Sequence, residues 1–343
     1  MLDRATFRVA DPERRHAGVR LCSDLRLSDD ARAFAWEDGD WVLRLALPHV
    51  RRFEYQLELL DAHGASERVC DPGSPHRAPG AFGEKSVLLA PGYEAPAWLD
   101  AAAAPGRSEE LEVRGRGRGA SVAVRLWSPA DAPRTEPLPL LVAHDGPEYD
   151  ELAALTRYAA AGVASGALPR HRIALLAPGA RDEWYSASAV YARVLCDAVL
   201  PALRTAVAVR GAPAGMGASL GGLAMLHAQR RHPRTFGALF MQSGSFFTPR
   251  FDAHEQRFPR YQRIVRFVRA TLRAGAHPEP VPAVLTCGSA EENVYNNRLM
   301  ARALAAQGYG AALHEVPDMH NYTAWRDALD PHLTRLLAAA WRP

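Results

Sequence analysis

The chain holds 343 residues, enough at roughly 150 residues per domain for about two domains and a sizeable core, which excludes a peptide-sized or metal-stapled fold. Hydrophobic residues make up 48% and charged residues 23% of it, the mixture of a folded, water-soluble protein and not of a disordered one. Its 41 basic and 38 acidic residues leave a net charge of +3, too weak a field to draw it to nucleic acid or to an anionic membrane surface.

The N-terminal stretch MLDRATFRVADPERR lacks the apolar core of a signal peptide. No later segment approaches the ~18 apolar residues of a membrane span, so the expected location is cytoplasmic. Between residues 30 and 100 apolar residues recur at every second position, first Trp41, Leu43, Leu45 and Leu47, then Phe53, Tyr55, Leu57 and Leu59. That period puts one row of side chains on a core and the alternate row, including Arg44, Glu54, Gln56 and Glu58, toward solvent. The turns Glu37-Asp38-Gly39-Asp40 and Asp61-Ala62-His63-Gly64 bound these runs and predict antiparallel hairpins in a small β-sandwich-like domain. Residues 70–96, rich in Pro and Gly, are expected to wrap its surface, with residues 100–106 as a linker. The expected domains are therefore 1–106 and 107–343. Cys22, Cys70, Cys196 and Cys287 show no CxxC spacing, which argues against a disulfide framework or a zinc site and predicts buried, reduced thiols. Every basic residue except Lys85 is Arg, a bias that a GC-rich coding sequence produces without any function.

Beyond the linker the pattern changes. The run Arg114-Gly115-Arg116-Gly117-Arg118 lies between two strand-like segments and predicts an exposed hairpin turn rather than an RNA-binding tract. Apolar, β-prone runs at 122–127, 140–143, 173–177, 239–241, 283–287 and 311–316 alternate with helical patterns at about 151–164, 187–208, 221–231, 294–307 and 322–341. Such alternation predicts an α/β fold, a mostly parallel sheet flanked by helices. Functional groups are then expected at the carboxyl ends of the strands.

Gly217-Ala218-Ser219-Leu220-Gly221 matches G-x-S-x-G. A short strand before it and a helix from Leu220 onward would make the strand-turn-helix of a nucleophile elbow, in which small residues let the backbone close up around Ser219. A serine hydroxyl is a weak nucleophile at neutral pH and needs a base and a group to orient that base. His320, after the last predicted strand, stands where the base belongs. The segment Cys287-Gly288-Ser289-Ala290-Glu291-Glu292-Asn293 follows the penultimate strand, so the acid is Glu291 or Glu292, with Glu291 favoured. The oxyanion hole should join the N–H of Leu220 to a donor in His144-Asp145-Gly146-Pro147-Glu148-Tyr149. Pro147 has no N–H, which leaves Gly146, Glu148 or Tyr149. His144 and Asp145 alone do not make a metal cluster, and neither metal nor cofactor is expected. For the substrate, Arg181, Trp184 and Tyr185 are nominated from the loop after a predicted strand, with Phe246 next, and Phe247, Tyr295 and Arg298 as weaker candidates.

The segments HDGPEY, AGMGASLGGLAML, QSGSFF, CGSAEEN and DMHNYTAWRDAL together resemble the branch of α/β-hydrolases that includes enterochelin esterases and esterase D, from about residue 110 to the end. YQLELL, DPGSP and APGAFGEKSVL are similar to the immunoglobulin-like module that precedes the hydrolase in enterochelin esterases. The resemblance implies an α/β-hydrolase behind a small all-β immunoglobulin-like domain. It implies ester cleavage through an acyl-enzyme on Ser219, with His320 as base and Glu291 or Glu292 as acid. Pro147 departs from relatives that use the N–H at that position. Cytoplasmic members of the family open the trilactone of catecholate siderophores, so a small-molecule ester is the expected partner, a ferric siderophore first. Two alternatives stand beside this one. The first is a carboxylesterase acting on feruloyl, acetyl or other small esters. The second is a carbohydrate- or partner-binding protein on an inactive hydrolase scaffold.

Overall fold

A computed structural model describes residues 1–115 and 121–342. The expected turn at 114–118 falls largely on residues outside this set. The chain packs as two compact units, the first made of Met1–Glu94 with Gly288–Glu291 and Val316–Ala324, the second of Ala95–Cys287, Glu292–Glu315 and the chain from Trp325 onward.

The first unit is all-β, with strands β1 (Leu2–Ala10), β2 (Gly18–Ser23), β3 (Ala35–Glu37), β4 (Asp40–Val50), β5 (Arg52–Leu60), β6 (Ser66–Val69), β7 (Arg77–Ala78) and β8 (Lys85–Leu89). One sheet has the order β1-β4-β3 and the other β2-β5-β8-β7, with β6 also on β5. Asp38 and Gly39 join β3 to β4 with φ of 47° and 95°, the left-handed pair that a two-residue hairpin requires. Phe7, Trp41, Leu43 and Leu47 of one sheet share a core with Val19, Leu21, Phe53, Tyr55 and Leu57 of the other. The alternation therefore reads as expected on one face of β5. On its opposite face Glu54 is buried beside Arg52, against the expectation of solvent, because the segment Val316–Ala324 covers it. Residues 70–96 do more than wrap the surface, since β8 pairs with β5 and buries Val87.

The second unit holds strands β9 (Gly106–Arg114), β10 (Ser121–Pro129), β11 (Leu140–His144), β12 (Arg172–Leu176), β13 (Ala214–Ala218), β14 (Ala238–Gln242), β15 (Ala283–Gly288) and β16 (Ala311–Val316). They form one sheet in the order β16-β15-β14-β13-β11-β12-β10-β9. The centre, β12 to β15, is parallel, whereas β10 runs antiparallel to both β12 and β9. Strands β11 to β14 are buried throughout, which is why they read as unbroken apolar runs. The helices are α1 (Gly146–Ala153), α2 (Leu155–Ala164), α3 (Arg181–Trp184), α4 (Ala189–Val194), α5 (Leu200–Ala206), α6 (Leu220–Arg231), α7 (Tyr261–Arg273), α8 (Val294–Ala306), α9 (Tyr322–Asp327) and α10 (Thr334–Ala340). This is the α/β-hydrolase architecture. The expected helix at 151–164 is two, broken where Ala154 turns left-handed at φ 52°. Helix α7, which the sequence reading passed over, buries Tyr261, Ile264, Val265 and Val268 on one side, the spacing of an amphipathic helix.

The expected linker at 100–106 and the residues just before it pack within the second unit. Trp98 meets Tyr158 of α2 edge-on at 5.5 Å, Arg157 donates to Leu99 O at 3.0 Å, and Ala104 N donates to Ala160 O at 3.0 Å. Of the four cysteines, Cys287 is buried while Cys22, Cys70 and Cys196 are half-buried; all are free thiols. Among the described residues no helix is long and apolar enough to cross a membrane.

Candidate active site

In the second unit β13 ends at Ala218 and α6 begins at Leu220, leaving Ser219 at the bend with φ 53° and ψ −122°. An L-residue in such a region carries about 1–3 kcal/mol of strain and persists only when its surroundings hold it. Here Ser219 N donates to Gln242 O at 2.9 Å, and Ser219 O accepts from Ser245 N at 3.1 Å. The glycines make room: a Cβ on Gly217 would stand 2.5 Å from Gly221 C, and one on Gly222 would stand 3.1 Å from Gly217 O. The hydroxyl of Ser219 is half-buried and lies 3.0 Å from that of Ser245.

Behind the bend runs a polar net that the sequence reading missed. Gln242 accepts from Tyr149 Oη at 2.8 Å and donates to Thr286 Oγ1 at 3.1 Å and to Trp325 O at 3.0 Å. Trp325 Nε1 donates to Ser243 Oγ at 2.9 Å. A polar residue ending a buried strand was the available signal, since a buried amide needs partners on both of its ends.

The loop after β11 begins with Asp145 in the left-handed region at φ 49° and enters α1 at Gly146. A Cβ on Gly146 would meet Leu175 Cα at 2.3 Å, so only glycine fits there. Asp145 O accepts from Tyr149 N at 2.8 Å, which removes Tyr149 as an oxyanion donor. The N–H groups of Gly146 and Glu148 remain in the first turn of α1, where no intrahelical acceptor reaches them. Leu220 opens α6 in the same way. His144 is fully buried, and its Nδ1 donates to Gly221 O at 3.0 Å, tying this loop to the start of α6. Burial lowers its pKa to about 4, so the ring is neutral and does not compete as a base.

Of the nominated substrate residues, Tyr185 and Phe246 lie in the interior. Tyr185 and Phe246 are 0% and 1% exposed; the Tyr185 ring lies tilted against that of His144, centroids 4.4 Å apart. Trp184 is half-buried and stacks on Tyr191 at 5.3 Å. Arg181 forks onto Asp145, with Nε–Oδ1 and Nη2–Oδ2 both 2.9 Å, and so braces the loop before Gly146. Of the four, Tyr185 and Phe246 are thus interior residues, while Arg181 and Trp184 keep part of their surface exposed. Phe247 is also buried, whereas Tyr295 is 54% exposed. Tyr295 stacks on Phe251 at 5.6 Å, with Arg298 over its ring at 5.2 Å and Arg250 over that of Phe251 at 5.2 Å. Arg298 also forks onto Glu315 at 2.6 Å.

In the first unit Glu291 and His320 come together, with Glu291 Oε2 2.8 Å from His320 Nδ1. The Glu291 side chain is 2% and that of His320 34% exposed. Glu291 Oε1 accepts from Gly288 N at 2.8 Å, which turns the carboxylate inward. Glu292, the alternative acid, faces His254 Nε2 at 2.7 Å and does not take part in this pair, because adjacent residues of the loop point opposite ways. Asp318 accepts from Arg52 Nε at 3.1 Å. Among the described residues no group of three or more His, Cys, Asp or Glu is arranged to hold a metal ion.

The family model described as "Putative esterase" matches residues 117–336. No curated protein sequence matches the chain. Among solved structures, the enterobactin esterase FES from Shigella flexneri, in the presence of 2,3-dihydroxy-N-benzoyl-glycine, is 18% identical at a TM-score of 0.75, covering 99% of this chain and 94% of its own. Ferric enterobactin esterase from Salmonella typhimurium is 19% identical at 0.74, over 98% and 93%. A ferulic acid esterase is 17% identical at 0.56, over 68% of this chain and 98% of its own. At these identities the likeness is one of fold.

Proposed function

The chain belongs to the esterase family of α/β-hydrolases and is an ester hydrolase, and on that premise we propose that it works through an acyl-enzyme on Ser219. His320 Nε2 takes the hydroxyl proton as Ser219 Oγ attacks the ester carbonyl. The imidazolium then gives that proton to the departing alcohol, and water repeats the sequence to free the acid. Glu291 holds the ring in the tautomer with its proton on Nδ1, and it stabilises the imidazolium once formed. The oxyanion takes N–H donation from Leu220 and from Gly146 or Glu148.

The observation that carries this reading is the 2.8 Å bond between a buried Glu291 carboxylate and the half-exposed His320 ring. A carboxylate is costly to bury without such partners, and a carboxylate bonded to one ring nitrogen is the arrangement that orients a histidine base. The strained bend at Ser219 supports the same reading, since strain of this kind gathers at functional sites.

For the substrate the reading is a catecholate trilactone ester, handled in the cytoplasm. Two things support it: the enterobactin esterases match over nearly the whole chain, N-terminal region included, and Phe251 and Tyr295 form an aromatic shelf flanked by Arg250 and Arg298. Rings flanked by guanidinium groups suit an anionic aromatic acyl group. A feruloyl or other small aromatic ester is the second reading, because a ferulic acid esterase shares the fold over 68% of this chain.

A fluorophosphonate probe tests the mechanism. It should label Ser219, and Ser219→Ala should abolish both labelling and hydrolysis of a p-nitrophenyl ester; a folded wild-type protein that takes no label would favour an inactive binding scaffold. Comparing ferric and iron-free trilactones with feruloyl and acetyl esters then ranks the substrates. Faster turnover of the feruloyl ester than of either trilactone would overturn the siderophore reading.

A further inference from the structure

We infer that the N-terminal sandwich is the holder of the acid–base pair, with Arg52 and Met319 as positioning residues for His320. This rests on the assignment of His320 as the base.

His320 lies in Val316–Ala324, a segment that follows the last strand of the α/β sheet in the chain but packs in the first unit. Both of its neighbours are anchored in the sandwich. Met319 inserts its side chain into the sandwich core, 3% exposed, in one cluster with Phe7, Leu47, Phe53 and Tyr55. Asp318 and Asn321 bind a single guanidinium: Arg52 Nε donates to Asp318 Oδ2 at 3.1 Å and Nη2 to Asn321 Oδ1 at 3.0 Å, while Nη1 donates to Glu54 Oε1 at 3.2 Å. Arg51 N donates to Pro317 O at 2.8 Å. Asp318 in turn accepts from Met319 N at 2.8 Å, and Asn321 accepts from Ala324 N at 2.8 Å. The backbone on either side of His320 is therefore fixed by side chains that are themselves held by β5.

The acid is fixed from the same side. Ser289 N donates to Val316 O at 2.7 Å, and Ala290 packs on the sandwich core. Arg52 is 2% exposed, and a buried guanidinium with two carboxylates is weak evidence for stability, since desolvation offsets most of the attraction. What three donors in a rigid fork do supply is direction. The other oxygen of Glu54 faces Lys85 Nζ at 3.7 Å, and Lys85 meets Asp24 at 3.1 Å, so Glu54 has a second cation beside Arg52. A binding module with a partner of its own has no need of a polar anchor aimed at the residues beside a catalytic histidine.

The test uses the full-length chain with Arg52→Lys and Met319→Ala. Lysine keeps the charge but cannot bond three acceptors in one plane; alanine keeps the polar anchor and removes the apolar one. Val19→Ala, in the same core but on β2, serves as a control that loosens the sandwich while leaving both the Arg52 and the Met319 anchors in place. Sites are counted by end-point fluorophosphonate labelling, and kcat and KM are measured per labelled site. Both loop variants should lose about tenfold or more in kcat, the scale of a misplaced catalytic group, with KM within about twofold and slower labelling, whereas Val19→Ala keeps wild-type kcat per site. Wild-type kcat per site in both loop variants, or an equal loss in Val19→Ala, would overturn the inference. If Arg52→Lys does not fold, Met319→Ala decides alone. Failure of the wild-type protein to label would instead overturn the assignment of Ser219 and His320 on which the inference rests.

Discussion

At the scale of single residues, a backbone hydrogen bond sets two adjacent carboxylates apart. Gly288 N–H turns Glu291 inward to His320, while Glu292 faces His254. Glu291→Gln is therefore expected to lower kcat by roughly 10²–10⁴, because an amide no longer holds the productive tautomer, and Glu292→Gln to leave it within about twofold; steady-state kinetics on a p-nitrophenyl ester would check both. At the exposed shelf, Tyr295→Ala should raise KM for aromatic esters several-fold, by about the 0.5–1.5 kcal/mol of a lost ring contact, without changing KM for an acetyl ester. Equal effects on the two esters would remove Tyr295 from recognition. The residue types of this site were legible in the sequence, but their directions were not. Tyr185 and Phe246 follow strands as pocket residues do, yet each is buried, and nothing local distinguishes an aromatic that lines a cavity from one that fills it.

At the scale of elements, the bend at Ser219 depends on close backbone approach. Gly217→Ala would drive a Cβ to 2.5 Å from Gly221 C, a clash between two main chains that no rotamer relieves, so a loss of several kcal/mol or failure to fold is expected. Gly275→Ala, with nothing within 4 Å of the added methyl, should be neutral or stabilising by up to about 1 kcal/mol. Thermal melts of the two variants compare them directly. The buried parallel strands and the G-x-S-x-G bend were legible because apolar runs and small residues are local signals. The break at Ala154 was not, since alanine is the residue least expected to leave a helix; its left-handed turn follows from the packing of α1 and α2.

For the whole molecule, the partition of the chain was the least legible feature. Arg52 and Glu54 occupy the outward positions of a strand whose inward row was read correctly, and they are buried by a loop 266 residues further on, a separation no periodicity reveals. Acid stability is also a property of the whole. Burial lowers the pKa of His144 and His171 from 6.5 to about 4. Between those values the unfolded chain binds protons that the folded chain refuses, so their neutral form stabilises fully above about pH 6.5 and that contribution is lost as pH falls toward 4. Each histidine then costs on the order of 3 kcal/mol at the acid end. Urea midpoints should accordingly fall steadily from pH 7 to pH 4.5, and midpoints that stay flat would show that the two rings are not held neutral.

Lys85, the chain's one lysine, is tethered to Asp24 and faces the buried Glu54. Succinimidyl esters therefore find this amine and the N-terminal one, and no other side chain of that kind. A fluorophore coupled to Lys85, with the N-terminal amine blocked beforehand, would sit beside Glu54 of the Arg52 cluster and give an optical gauge of the sandwich's rigidity.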